Sequence, residues 1–204
     1  TLSAIIQSLC AAGRFVEAHR RLSLLLSSHW LPDDRTASAL IACLLRSRRT
    51  PHLTLHFIHQ LAHQNPAFVP SLTNYNRLID QFCSLSQLSE ARELLGSMLS
   101  KGHRPNAVSY TTLINGYARI GLLEDALKLF DEMCQSGVSP NSLTLSVLIK
   151  GVLRKRRVQE GKELMLRLWA KMEEEKHGDP SVRSAAFANL IDSLCREGFF
   201  HEVF

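Results

Sequence analysis

The sequence predicts an all-α fold, a right-handed superhelical solenoid of stacked helix-turn-helix repeats, on three observations. Aliphatic pairs recur at Ile5-Ile6, Leu40-Ile41, Leu78-Ile79, Leu113-Ile114, Leu148-Ile149 and Leu190-Ile191, spaced by 35, 38, 35, 35 and 42 residues. A proline follows each of the first five pairs, at Pro32, Pro70, Pro105, Pro140 and Pro180. Downstream of the pairs, one register holds Glu17, Glu90, Asp125, Glu160 and Glu202, and the next holds Ala18, Ala91, Ala126, Gly161 and Val203. Self-similarity at a fixed period of this size is the mark of a repeat architecture. A single short hairpin cannot hide its apolar face alone, so successive copies must stack, with the first helices along an inner surface.

The copies span approximately 1–33 (partial), 34–71, 72–106, 107–141, 142–183 (with an insertion) and 184–204 (partial). The first starts two residues into its repeat and carries Ile5-Ile6 in its first helix. In the second, "RSRRTPHL" (Arg46 to Leu53) replaces the usual glycine turn, and about three extra residues in "LAHQNPAFV" lengthen the second helix or its exit loop. The third and fourth are the most regular. Within 107–141, Val108, Leu113, Ile114 and Tyr117, then Ala126, Leu127, Phe130 and Met133, fall at helical spacing on either side of Gly121. Asn106 is placed to cap the first of these helices, Glu124 and Asp125 suit the positive N-terminus of the second, and Gly137 with Pro140 ends it. The fifth copy carries about seven extra residues within "LWAKMEEEKHGDPSVR" (Leu168 to Arg183), and the sixth stops inside its second helix. The small Ala91 and Ala126 let two helices approach closely.

Composition bounds the partners. With 204 residues at 45% hydrophobic, the chain can bury a substantial core. Lys and Arg outnumber Asp and Glu by 24 to 19, a net charge of +5 that suits an anionic partner without demanding one. Five cysteines with no C-x-x-C indicate neither a disulfide framework nor a four-thiolate zinc site, and point to a reducing compartment. No apolar run approaches the roughly 18 residues that span a bilayer. The chain opens on Thr1 with no initiator Met or targeting segment, so it is expected to be an excerpt of a longer protein.

The stretches "NYNRLIDQFCSLSQLSEARELLGSMLSKGHRPN" and "VSYTTLINGYARIGLLEDALKLFDEMCQSGVSPN" resemble, almost throughout, the pentatricopeptide repeat family of the type built from 35-residue motifs. The related 34-residue protein-binding repeat fits less well, because Tyr-Asn or Tyr-Thr before Leu-Ile is not its signature. The resemblance implies binding of single-stranded RNA, one base per repeat, read by a residue of the first helix together with the last residue of the same repeat. Carried over, the pairs are Ser3 with Asp33, Ser38 with Ser71, Asn76 with Asn106 and Thr111 with Asn141. Ser146 pairs with Ser181 or with Arg183, and Ala188 of the last copy has its partner beyond the end. In the resemblance the second residue of a repeat clamps the base faces; Val108 and Leu143 match, while Arg35, Thr73 and Ala185 depart.

Short hydroxyl and amide side chains can meet a base edge without filling a groove; an amide donates and accepts, a carboxylate only accepts. Asp33 with Ser3 is therefore expected to favour guanine; in the family's pattern Thr111 with Asn141 implies adenine, Asn76 with Asn106 a pyrimidine, and Ser38 with Ser71 a weak adenine. Taken singly, these Asn and Asp residues read as helix caps; it is their shared register that adds the binding role. Arg46, Arg119, Arg154 and Arg196 each lie five residues beyond the Ile of the pair, a stripe suited to phosphates.

Other features read as structural. His52, His56, His59 and His63 mark one helical face, but with no H-E-x-x-H or clustered carboxylate no metal is expected. Cys10, Cys83 and Cys195 share a buried register, Glu173, Glu174 and Glu175 a solvated helix end, and Trp30 and Trp169 a packing position. No cofactor and no catalytic group is expected. The chain thus reads as a non-enzymatic RNA-binding adaptor with RNA-processing proteins as further partners, no membrane and no DNA; the alternatives are a protein-binding helical scaffold and an enzyme whose catalytic domain lies elsewhere. The resemblance implies a plant protein working on RNA processing, stabilisation, editing or translation in the mitochondrion, with the chloroplast as the alternative.

Overall fold

A computed structural model describes residues 2–28, 31–47 and 50–154, together with the isolated helical positions 184, 188 and 192. Among the described residues the chain forms nine helices and no strand: α1 (Leu2–Ala11), α2 (Phe15–Ser27), α3 (Asp34–Leu44), α4 (Pro51–Gln64), α5 (Leu72–Ser84), α6 (Leu88–Ser100), α7 (Ala107–Arg119), α8 (Leu123–Gln135) and α9 (Ser142–Arg154). Odd-numbered helices open each copy and even-numbered helices close it, the all-α architecture of a helical-repeat solenoid. Two compact units divide between Pro105 and Asn106.

In the first unit α1 packs on α2 and α3, α3 on α4 and α5, α2 on α4, and α5 on α6. In the second, α7 packs on both α8 and α9. Contact from first helix to first helix explains the aliphatic pairs: Leu40, Ile41, Leu78, Ile79, Leu113 and Ile114 are fully buried, held between their own hairpin and a neighbour. Ile5 is the exception at 45% exposure, because among the described residues no helix lies on that side of α1. Ala18, Ala91 and Ala126 are also fully buried, where a longer side chain would overpack the contact.

The turns are built one way. In three hairpins the backbone bond closing the first helix spans five residues: Arg14 N–H to Leu9 O (2.9 Å), Gln87 N–H to Phe82 O (2.9 Å) and Leu122 N–H to Tyr117 O (3.0 Å). Each such closure needs a left-handed residue, supplied by Gly13 (φ 75°), Ser86 (φ 60°) and Gly121 (φ 85°). The same device ends α6 and α8, with Gly102 and Gly137. The second copy differs, as its glycine-free turn requires: Arg46 and Ser47 donate back to Cys43 and Leu44 in tight three-residue bonds, and Pro51 starts α4 at a position needing no N–H. Its extra residues go mainly into the exit loop, where Asn65 accepts from Ala67 and Phe68 turns inward to full burial. The fifth copy's insertion, with Trp169 and Glu173 to Glu175, lies outside the described residues, as do Trp30 and Cys195.

Ser86 is the one non-glycine residue with positive φ among the described residues. A side chain there costs about 1–2 kcal/mol, and glycine returns about 0.5–1 kcal/mol of that as unfolded-chain freedom. Ser86→Gly is therefore expected to raise stability by about 0.5–1 kcal/mol in denaturant titration, whereas Gly121→Ala lowers it.

Candidate nucleic-acid interface

Each first helix begins immediately after the last residue of the preceding copy, so that residue is also its cap. Four free N–H groups at a helix start need acceptors, and a short side-chain oxygen in extended backbone supplies one. Asn106 (φ −111°, ψ −178°) does so for α7: its Oδ1 accepts from the backbone N–H of Val108 (3.1 Å) and of Ser109 (3.1 Å) and from the Ser109 hydroxyl (3.2 Å). The Ser109 Oγ in turn accepts from the Asn106 N–H at 3.2 Å, closing a capping box. Asn141 repeats the arrangement at α9, its Oδ1 accepting from the Thr144 N–H (2.9 Å) and the Thr144 hydroxyl (3.0 Å). Ser71 caps α5 more weakly, accepting from the Asn74 N–H at 3.3 Å. Asp33, at the start of α3, makes no side-chain cap bond and is exposed.

These bonds settle which end of each amide faces outward. A backbone N–H can only donate, so the side-chain atom against it is the oxygen. With Oδ1 of Asn106 and Asn141 held on the helix, Nδ2 is the end turned away, and an amide that could offer both polarities offers a donor. Asp33 offers only acceptors, and Ser71 keeps a rotatable hydroxyl able to do either. The last residues of successive copies thus present acceptor, ambivalent, donor and donor.

Behind Asn141 the hydroxyls of Thr144 and Thr111 follow in line. The Thr111 and Thr144 oxygens meet at 2.6 Å, with Thr144 fully buried and Thr111 4% exposed. Because Thr144 gives its hydrogen to Asn141 Oδ1, Thr111 is the donor in that contact; the reverse would leave two acceptor oxygens facing each other. Ser146 is likewise buried, Asn76 and Ser38 are half-buried, and Ala188 is exposed. Asn74, buried, donates from Nδ2 to the Ser38 carbonyl at 3.4 Å. The side chains of Ser3 and Arg154, and Ser181, Arg183, Ala185 and Arg196 entirely, lie outside the described residues.

Val108 and Leu143 stand out in solvent at 53% and 60% exposure, one helical residue beyond the cap, and Arg35 and Thr73 occupy the same register, also exposed. Arg46 and Arg119 are exposed at the ends of the first helices. Sequence reasoning missed the third position of each copy: Thr36, Asn74, Ser109 and Thr144 are all polar in a register that the fold buries from the third copy on. That run of small polar residues was the available signal.

The remaining candidates belong to the fold. His52, His56, His59 and His63 are exposed on α4; His52 bonds Gln87 (3.0 Å), and His56 meets His19 (3.2 Å). Burial, then the neighbouring His56, hold His19 below the usual histidine range. Burial pushes the Cys10 thiol up to about 11, with Cys43 adding to the rise, so it is a packed side chain rather than a nucleophile. Cys83 is also buried.

Comparison with known proteins places these features in context. The PPR repeat family's sequence profile matches residues 70–119 and 105–154. A pentatricopeptide repeat-containing protein of Arabidopsis thaliana is 59% identical over 203 residues, which is 100% of this chain and 29% of that protein. The chain thus spans less than a third of that relative. Among solved structures, the fold is similar to that of the pentatricopeptide repeat protein PPR10 from maize, at TM-score 0.66 and 20% identity over 99% of this chain and 28% of that one. It is also similar to PPR10 in complex with an 18-nt psaJ RNA element, at TM-score 0.61 and 22% identity over 98% of this chain and 29% of that one.

The capping difference is measurable without any ligand. Asn106→Ala and Asn141→Ala should each cost about 1 kcal/mol of unfolding free energy, while Asp33→Ala, with no cap bond to lose, should cost no more than about 0.5 kcal/mol. Equal losses at all three positions would contradict the assignment of caps.

Proposed function

Because the chain belongs to the pentatricopeptide repeat family, with repeats of the 35-residue type, we propose that it binds single-stranded RNA sequence-specifically, one base per repeat. The observation that carries this reading is the sorting of hydrogen-bond polarity at the last residue of successive copies: acceptor at Asp33, donors at Asn106 and Asn141. A purely structural cap has no use for such sorting, since Asp and Asn cap equally well. The RNA-bound state of PPR10, which shares the fold, supports the choice of ligand.

The chemistry of recognition follows from those polarities. Guanine presents N–H donors at N1 and N2 to the Asp33 oxygens. Adenine presents the bare N1 to the Asn141 amide and cytosine the bare N3 to the Asn106 amide; guanine would set N–H against N–H. Asn76 completes the pyrimidine pair with Asn106, Ser38 and Ser71 read weakly, and Thr111 supports Asn141. Val108 and Leu143 cover the ring faces; Arg35 can stack as a plane in the same register. Arg46, Arg119, Arg154 and Arg196 neutralise phosphates, which adds affinity without sequence preference. Read 5′ to 3′ from N- to C-terminus, the sequence recognised is G, a weak A, C or U, then A.

No catalytic step is required. Occupancy of the RNA is itself an activity: it blocks an exonuclease, remodels a hairpin or positions a processing protein. Family membership and the plant relative support an organellar transcript, in the mitochondrion or alternatively the chloroplast.

Asn141→Asp tests the reading directly, because the carboxylate keeps the cap and reverses the polarity shown outward. The preferred base at that step should move from adenine to guanine by about 1–3 kcal/mol, while the slope of affinity against salt stays constant because no phosphate contact is lost. Binding titrations with each base varied give both numbers; a variant with unchanged ranking contradicts base reading by this residue, and a wild-type chain that treats RNA, DNA and scrambled sequence alike supports a protein-binding scaffold instead.

A further inference from the structure

We propose that Thr144, the third residue of its own copy, is a specificity-positioning residue for the base read by the preceding copy: its buried hydroxyl locks the Asn141 amide with the donor outward. The inference rests on the RNA-binding reading and deepens it. Two bonds hold Oδ1 of Asn141, and they are of different kinds. One comes from the Thr144 backbone N–H (2.9 Å), which any residue at this position would supply; the other comes from the Thr144 hydroxyl (3.0 Å), which only a hydroxyl residue supplies at that distance. Together they occupy both lone pairs of the oxygen, leaving the amide no acceptor to show and no freedom to turn.

The same hydroxyl disposes of a second ambiguity. Thr111 carries a proton able to point toward the groove or away from it, and the 2.6 Å contact draws it onto Thr144. Since Thr111 and Thr144 are almost wholly out of solvent, water cannot take over either bond, and an uncommitted hydroxyl there would be costly. One side chain therefore fixes the polarity of two.

The pattern along the chain agrees. Both copies that end in Asn are followed by a hydroxyl at this third position, Ser109 after Asn106 and Thr144 after Asn141, each fully buried and each donating to the amide oxygen. The copy that ends in Ser71 is followed by Asn74, whose side chain reaches the Ser38 carbonyl instead and leaves the Ser71 hydroxyl free to rotate. The copy that ends in Asp33 is followed by a hydroxyl too, the half-buried Thr36, but Asp33 makes no side-chain cap bond, so among the described copies the bonded lock is found where the last residue is Asn.

The test uses Thr144→Val, which keeps shape and backbone N–H and removes only the hydroxyl, Thr144→Ser, which restores it, and Thr144→Ala, a good helix former that keeps the experiment usable should the valine variant unfold. Each full chain is titrated with short single-stranded RNAs carrying G-A-C-N within uridine flanks, N being each of the four bases. The expected result is a fall of about tenfold in the adenine-over-guanine ratio for the Val and Ala variants, recovery in the Ser variant, and an unchanged salt slope. A structural role alone would weaken all four RNAs together and leave the ratio intact. Wild-type discrimination that survives in both the Val and Ala variants overturns this inference and leaves base reading standing; a wild-type chain that binds none of the RNAs overturns the RNA reading and this inference with it.

Discussion

A side-chain oxygen at the end of one repeat, bonded to the first free N–H groups of the next, is the contact on which the rest of the arrangement depends. At Asn106 and Asn141 it fixes where α7 and α9 begin, and hence the phase of every residue along them. A helix started one residue earlier or later would turn by about 100°. Val108 would then leave the surface and the Leu113-Ile114 pair would leave the core. The cap is thus the link between the polar edge of the repeat and its buried interior.

The cap also converts a symmetric choice into an asymmetric one. Asparagine carries a donor and an acceptor of nearly equal size, and in water it would present either. Against backbone N–H groups, two at Asn106 and one at Asn141, it has one orientation, and neighbouring buried hydroxyls reinforce it where water cannot compete. Aspartate at the same register needs no such orientation because both its oxygens accept. A single atom at one position, oxygen or nitrogen, thus distinguishes what the copy ending in Asp33 displays from what those ending in Asn106 and Asn141 display.

Much of this was legible in the residues alone. The Leu-Ile pairs and the buried alanines repeat because each copy must bury the same faces, and the post-turn acids because each second helix has the same positive start, so periodicity reveals them, and the resemblance to the repeat family follows. Asn106 as a cap was legible because its consequence is local. Three things were not. Ile5 matches its register yet is exposed, since burial depends on a neighbour that sequence cannot show. Ser86 stands where glycine is expected, and a left-handed serine leaves no trace in a hydrophobic pattern. Thr144 was not singled out, because its contact is with Thr111 of the copy before and leaves no local pattern. Local signals survive in sequence, and contacts between copies become visible only when the copies are stacked.

The most direct measurement is a cycle between one protein atom and one RNA atom. Replacing adenine by 1-deazaadenine at the step facing Asn141 removes the N1 acceptor and keeps the ring, and Asn141→Ala removes the donor. If the outward Nδ2 reads N1, the deaza base weakens binding to the wild-type chain by about tenfold, or about 1.4 kcal/mol, and leaves the Ala variant unaffected. Equal weakening of both proteins would mean that the amide does not touch the base, and that the polarity displayed along these repeats serves the helices alone.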